Sequence, residues 1–167
     1  MVGGALGSLV GVLLAGRYPD RVRHLAMFAV AAEMGGRTAE YVLARTERIR
    51  RDGMRVAVDA SLGNAFPAAF TAVKDWYRPR WLANDPAGFA SLSESLCRAV
   101  LGPEVWSAVK APTLVVSGRH DFLWPPAIGQ DVAARISGAR FEVLEDAGHF
   151  PHLQTPAALA ALVDGFS

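Results

Sequence analysis

Gly3-Gly4-Ala5-Leu6-Gly7-Ser8-Leu9-Val10 places three glycines around one alanine and runs directly into an apolar segment. Glycine tolerates positive φ and close backbone approach, so residues 3–7 are expected as a tight turn. Residues 6–17 are rich in Ala, Leu, Val and Gly and apolar nearly all round, which predicts a helix buried on most sides. Tyr18-Pro19-Asp20 stops it. Residues 25–30 (Leu-Ala-Met-Phe-Ala-Val) are a short unbroken apolar run, the pattern of a parallel strand covered on both faces. A dinucleotide-binding loop is the other use of a glycine-rich turn before a helix, but the G-x-G-x-x-G spacing is absent.

Further along, residues 33–100 change texture. They read as helical, with charges crowded into 40–52 and aromatic residues Phe66, Phe70, Trp76, Tyr77 and Trp81 in the middle. Asp85-Pro86 is a helix start, Asp as N-cap and Pro at the first helical position. Strand and helix patterns alternate again after Ala111-Pro112: a strand at 113–117, a helix at 126–136, a strand at 141–144, and a last helix at about 155–166. Strands separated by helices imply a parallel sheet. The expected organisation is an α/β core of residues 1–32 and 101–167, with a helical insertion at 33–100.

Bulk properties narrow the partners. A net charge of +1 with no block of like charges gives no footprint for a nucleic acid. The apolar start at 2–15 lacks the basic leader of a signal peptide. It also meets Arg17, Pro19 and Asp20 short of the roughly 20 residues of a membrane span, so it reads as a buried helix out of context and no membrane is expected. Cys97 is the only cysteine. An internal disulfide is therefore impossible, which agrees with a reducing, cytoplasmic compartment. The four histidines have no paired short spacing, so neither a metal nor a cofactor is expected.

Two loops at strand ends each offer a titratable group, Asp121 after the strand at 113–117 and His149 after the strand at 141–144. Sites in open parallel sheets form outside the carboxyl ends of the strands. Alone, Asp121 would read as a turn cap and His149 as a surface residue. Together, a carboxylate beside an imidazole fixes its tautomer and supports its protonated form, as general-base activation of a hydroxyl requires. The string at 3–7 has the glycine spacing of G-x-S-x-G, the sharp strand-to-helix turn that exposes a nucleophilic serine, but its central residue is Ala5, which has no nucleophilic atom.

The run from Gly3 to Val10, with Tyr18-Pro19-Asp20-Arg21-Val22 after it, resembles the elbow and first following helix of α/β-hydrolases. The run from Ala111 to Asp121 resembles that family's acid strand, and Ala147-Gly148-His149-Phe150-Pro151-His152-Leu153 its histidine loop. The order of the three is the family's order. Arg51-Asp52-Gly53-Met54, Phe66-Pro67-Ala68-Ala69-Phe70 and Asp85-Pro86-Ala87-Gly88-Phe89 are similar to the cap of 3-oxoadipate enol-lactonases. The resemblance implies the C-terminal part of an α/β-hydrolase parallel sheet with a helical cap insertion. It implies Asp121 as triad acid, His149 as general base, Ala5 at the nucleophile position and the Leu6 backbone N–H as an oxyanion donor. Phe66, Trp76, Trp81 and Phe150 are expected to line a substrate pocket, or, for the cap aromatics, to form the cap's own core.

Ser8 stands where the family has a glycine, and Gln154 where it has a glutamate after the histidine. Ser8 is expected to face packing, and His120 and His152 the pocket rim or the surface. The implied substrate is a small carboxylic ester or lactone. The family's N-terminal half is absent from the resemblance, so a truncated enzyme, or one completed by an N-terminal half chain, is one expectation. A catalytically silent protein that binds a small molecule or partner is the other.

Overall fold

A computed structural model describes residues 1–166. The chain divides into two compact units, residues 1–32 with 101–167 and residues 33–100. In chain order the elements are β1 (Val2–Gly4), α1 (Leu6–Arg17), β2 (Leu25–Phe28), α2 (Gly36–Asp52), α3 (Val58–Ala65), α4 (Thr71–Leu82), α5 (Pro86–Arg98), α6 (Pro103–Ser107), β3 (Thr113–Gly118), α7 (Pro126–Ala134), β4 (Arg140–Leu144), α8 (Pro151–Gln154) and α9 (Pro156–Asp164).

In the first unit the described strands form one sheet, β1-β2-β3-β4, with every pair parallel. β3 is buried along its whole length, Thr113 and Ser117 included, as expected of a strand with neighbours on both sides and both faces covered. Alternate residues of a strand face opposite ways. Ala26, Leu114 and Val116 pack with Leu159 of α9, joined by Leu144, Leu162 and Val163. Leu25, Thr113, Val115 and Ser117 point to the other face. There a Cβ built on Gly11 of α1 would lie 2.8 Å from Leu25 Cδ1, and one on Gly129 of α7 would lie 2.1 Å from Ser117 Oγ. Glycine at these two positions lets α1 and α7 lie close against the sheet.

Three local departures from the sequence pattern have physical reasons. The glycine run predicts a turn from Gly3, but Val2, Gly3 and Gly4 pair in register with Ala26, Met27 and Phe28 as a strand, because the extended partner supplies a hydrogen-bonded edge. The strand expected over 25–30 ends at Phe28, where Ala29 turns to φ 47° and breaks the pleat. The histidine loop contains a short helix of its own, α8, begun by Pro151.

The second unit is helical. Asp85 caps α5 by accepting a hydrogen bond from Gly88 N at 2.6 Å, and α2 packs along α5. Among the described residues no helix is long and apolar enough to cross a membrane.

One surface of the first unit is conspicuously apolar. Val10, Leu13 and Leu14 are exposed on α1 at a spacing that makes one stripe. Met1 and Val2 are exposed beside it, on an edge strand with no neighbour beyond it among the described residues. Such an edge is a template for pairing with another chain. The 167-residue chain is therefore expected to self-associate at micromolar concentration. Sedimentation velocity should show mass rising with concentration, and Leu13→Glu combined with Leu14→Lys should reduce it.

Candidate active site

The turn from β1 into α1 is held by its backbone. Ala5 sits at φ 49°, ψ −117°, a region in which a side chain carries steric cost, of order 1–3 kcal/mol, and which persists only where the surroundings impose it. The imposing contacts are visible. Ala5 N donates to the Phe28 carbonyl at 3.0 Å, and Ser8 N donates to the Ala5 carbonyl at 3.0 Å. The buried Ser8 hydroxyl lies 2.8 Å from the Gly3 carbonyl and 3.1 Å from that of Phe28, directing its one proton between them. A Cβ on Gly3 would come within 2.4 Å of the Gly7 carbonyl oxygen, so the turn closes only with glycine there. Leu6 opens α1, and its N–H has no acceptor within the helix. Ser8 thus serves packing, as its helical position implies.

Asp121 and His149 come from the loops after β3 and β4, and backbone bonds join those loops. Arg119 N donates to the Leu144 carbonyl at 3.0 Å and His120 N to that of Ala147 at 2.9 Å. A Cβ on Gly118 would stand 2.3 Å from the Gly148 carbonyl oxygen, so the two loops approach to backbone contact. The Asp121 carboxylate is buried, and its Oδ1 accepts from Leu123 N at 2.9 Å and Trp124 N at 3.0 Å. His149 Nδ1 lies 2.9 Å from Asp121 Oδ2 and 3.0 Å from Oδ1. Around the imidazole stand Phe122 at 6.0 Å, Trp124 at 5.3 Å and Phe150 at 5.2 Å between ring centroids. Gln154 is buried, and its Oε1 accepts from Gly148 N at 2.7 Å, immediately before the histidine.

An imidazole in an aromatic surround, bonded through one nitrogen to a carboxylate with fixed backbone donors, is a group able to accept and return a proton at its other nitrogen.

A model of the alpha/beta hydrolase family matches residues 1–162. The chain belongs to that family.

Its relatives include 3-oxoadipate enol-lactonase 2 of Acinetobacter baylyi, 27% identical over 175 residues, covering 96% of this chain and 60% of the relative. The pimeloyl-(acyl-carrier protein) methyl ester esterase of Neisseria meningitidis is 26% identical over 184 residues, covering 99% of this chain and 56% of the esterase. Among solved structures, the enol-lactonase from Burkholderia xenovorans LB400 superposes with a TM-score of 0.90 at 33% identity, covering 99% of this chain and 64% of that one. This alpha/beta hydrolase chain therefore spans about 60% of the length of the relatives it matches.

The remaining expected residues are dispersed. Phe150 stands beside His149. In the helical unit Phe66 and Trp81 are buried, near Tyr77 and Phe89 respectively, whereas Trp76 is 68% exposed. Cys97 contacts Met34 Sδ at 3.3 Å, and burial pushes its thiol up, away from the thiolate a nucleophile needs. His120 is exposed, and His152 packs against Phe28 at 5.2 Å. Among the described residues no group of three His, Cys, Asp or Glu is placed to hold a metal. Phe122 and Trp124 were not singled out by the sequence, although they lie one and three residues after Asp121 and Trp124 is buried, its indole N–H without a partner among the described residues.

Two stability tests follow from this geometry. Ala5→Gly removes the clash at positive φ and should stabilise the chain by about 1 kcal/mol, read as a raised melting temperature. Gly118→Ala forces the two loops apart and should destabilise it by about 1–3 kcal/mol, read by denaturant titration.

Proposed function

We propose that the chain carries the acid and base of a serine-hydrolase triad, Asp121 and His149, on a fold that acts on a small carboxylic ester or lactone. The observation that supports this most directly is the His149 Nδ1 to Asp121 Oδ2 contact of 2.9 Å on adjoining loops. In this reading Ala5 stands at the nucleophile position and the Leu6 N–H is one oxyanion donor. With a serine at position 5, His149 Nε2 would take the hydroxyl proton as Oγ attacks the acyl carbon, and return it to the leaving oxygen. Asp121 would stabilise the imidazolium. Phe150, beside His149, would contact the substrate.

Without that hydroxyl the expected turnover is lost, since removing a triad nucleophile costs on the order of a million-fold. We further propose that a complementing chain, equivalent to the rest of the relatives' length, supplies the second oxyanion donor, a group worth roughly 100- to 1,000-fold. Ala5 also supports a second reading, a catalytically silent member that binds the ester or a partner chain without turning it over. A cytoplasmic setting fits the single cysteine.

The test is hydrolysis of p-nitrophenyl acetate and opening of a small enol-lactone. The unmodified chain and Ala5→Ser alone should be inactive. Ala5→Ser with the complementing half, supplied in cis or as a second chain, should be active, and His149→Ala should abolish that activity. Turnover by the unmodified chain that disappears with His149→Ala would mean a different nucleophile and overturn the mechanism.

A further inference from the structure

The pair of Asp121 and His149 is nearly dry: the carboxylate side chain has no exposure and the imidazole side chain 11%. Of the three rings around the imidazole, Trp124 meets both partners at once. Its backbone N–H donates to Asp121 Oδ1 at 3.0 Å, and its indole stands 5.3 Å from the imidazole centroid, tilted by 55°. Trp124 is buried, and Pro125 follows it, ahead of α7. A residue before proline has few backbone conformations, and the Trp124 N–H is already bound to the carboxylate, so the loop delivers the ring to one place. The indole N–H, by contrast, is buried without a partner among the described residues. Such a group costs stability, and a phenyl or leucine side chain would avoid that cost. What the indole adds over either is a broader flat face.

We infer that Trp124 is a positioning residue: its indole walls off the bond between His149 and Asp121 from water and holds the imidazole with Nδ1 on the carboxylate. The inference rests on the reading of Asp121 and His149 as acid and base. An Nδ1–H donated to a carboxylate leaves Nε2 as the proton acceptor. In surroundings of low dielectric that bond is strong, and water reaching it competes for both of its ends. A ring packed against the imidazole also restricts its tilt, so that Nδ1 does not swing off the oxygens. Trp124 touches no reacting atom in this role and acts through His149.

Proton and nitrogen NMR on the full chain tests this. At neutral pH the parent should show a low-field His149 Nδ1–H resonance, absent in Asp121→Asn, with a nuclear Overhauser contact to the Trp124 ring and no cross-peak from water. Trp124→Leu, apolar but without a flat ring, should speed exchange of that proton with water about tenfold or more, the margin of one hydrogen bond to a charged group. Trp124→Phe restores a flat ring and should recover most of the slow exchange. Trp106→Phe is the control for lost stability alone. Trp106 is buried and its indole N–H donates to the Leu101 carbonyl at 3.1 Å, so this change should lower the melting temperature and leave the His149 proton as in the parent. A parent without the resonance would remove the acid–base pair, and this inference with it. A resonance that Asp121→Asn abolishes would leave the pair standing. The role of Trp124 would then be overturned by equal exchange in Trp124→Leu and the parent, or by a Trp106→Phe effect as large as that of Trp124→Leu. A water cross-peak to Nδ1–H in the parent would overturn it too, and that measurement needs no variant.

Discussion

The carbonyl of Phe28, at the end of β2, receives the N–H of Ala5 at 3.0 Å and lies 3.1 Å from the hydroxyl of Ser8. Those two donors come from either side of the sharp corner between β1 and α1, so one acceptor on the neighbouring strand pins the corner and the first turn of the helix together. The pairing of β1 with β2 brings that acceptor into place, and the glycine at position 3 removes the side chain that would hold the corner open. The positive φ of Ala5 follows from these constraints. No contact of the alanine side chain is needed to hold it.

The same economy operates across the sheet. Asp121 and His149 meet because main-chain bonds from Arg119 and His120 join their loops, and because glycine at 118 lets the backbones touch. The side chains then add orientation. Backbone donors from Leu123 and Trp124 fix the carboxylate, and Gln154 holds the peptide ahead of the histidine. An amide serves there as well as a carboxylate, since only an acceptor oxygen is required by Gly148 N.

Features set by strong local signals were legible in the sequence. The apolar helix from Leu6 to Arg17, the buried strand from Thr113 and the parallel α/β arrangement follow from hydrophobic runs and proline stops, and the structure has them. The proximity of Asp121 and His149 could be expected because both fall just past strand ends. What escaped depends on tertiary partners. β1 is three residues long, two of them glycine, and exists only because β2 offers it an edge. Ala29 looks like one more strand residue until its φ is seen. Phe122 and Trp124 read as ordinary apolar loop residues.

The corner at Ala5 is shaped entirely by other residues, which separates the architecture of the site from the identity of the atom displayed there. Codons for alanine and serine differ by one base at the first position. A single nucleotide change in either direction would therefore exchange a methyl group for a hydroxymethyl on an unaltered backbone. Gain or loss of a hydroxyl at this corner is one mutational step, taken without refolding the protein around it.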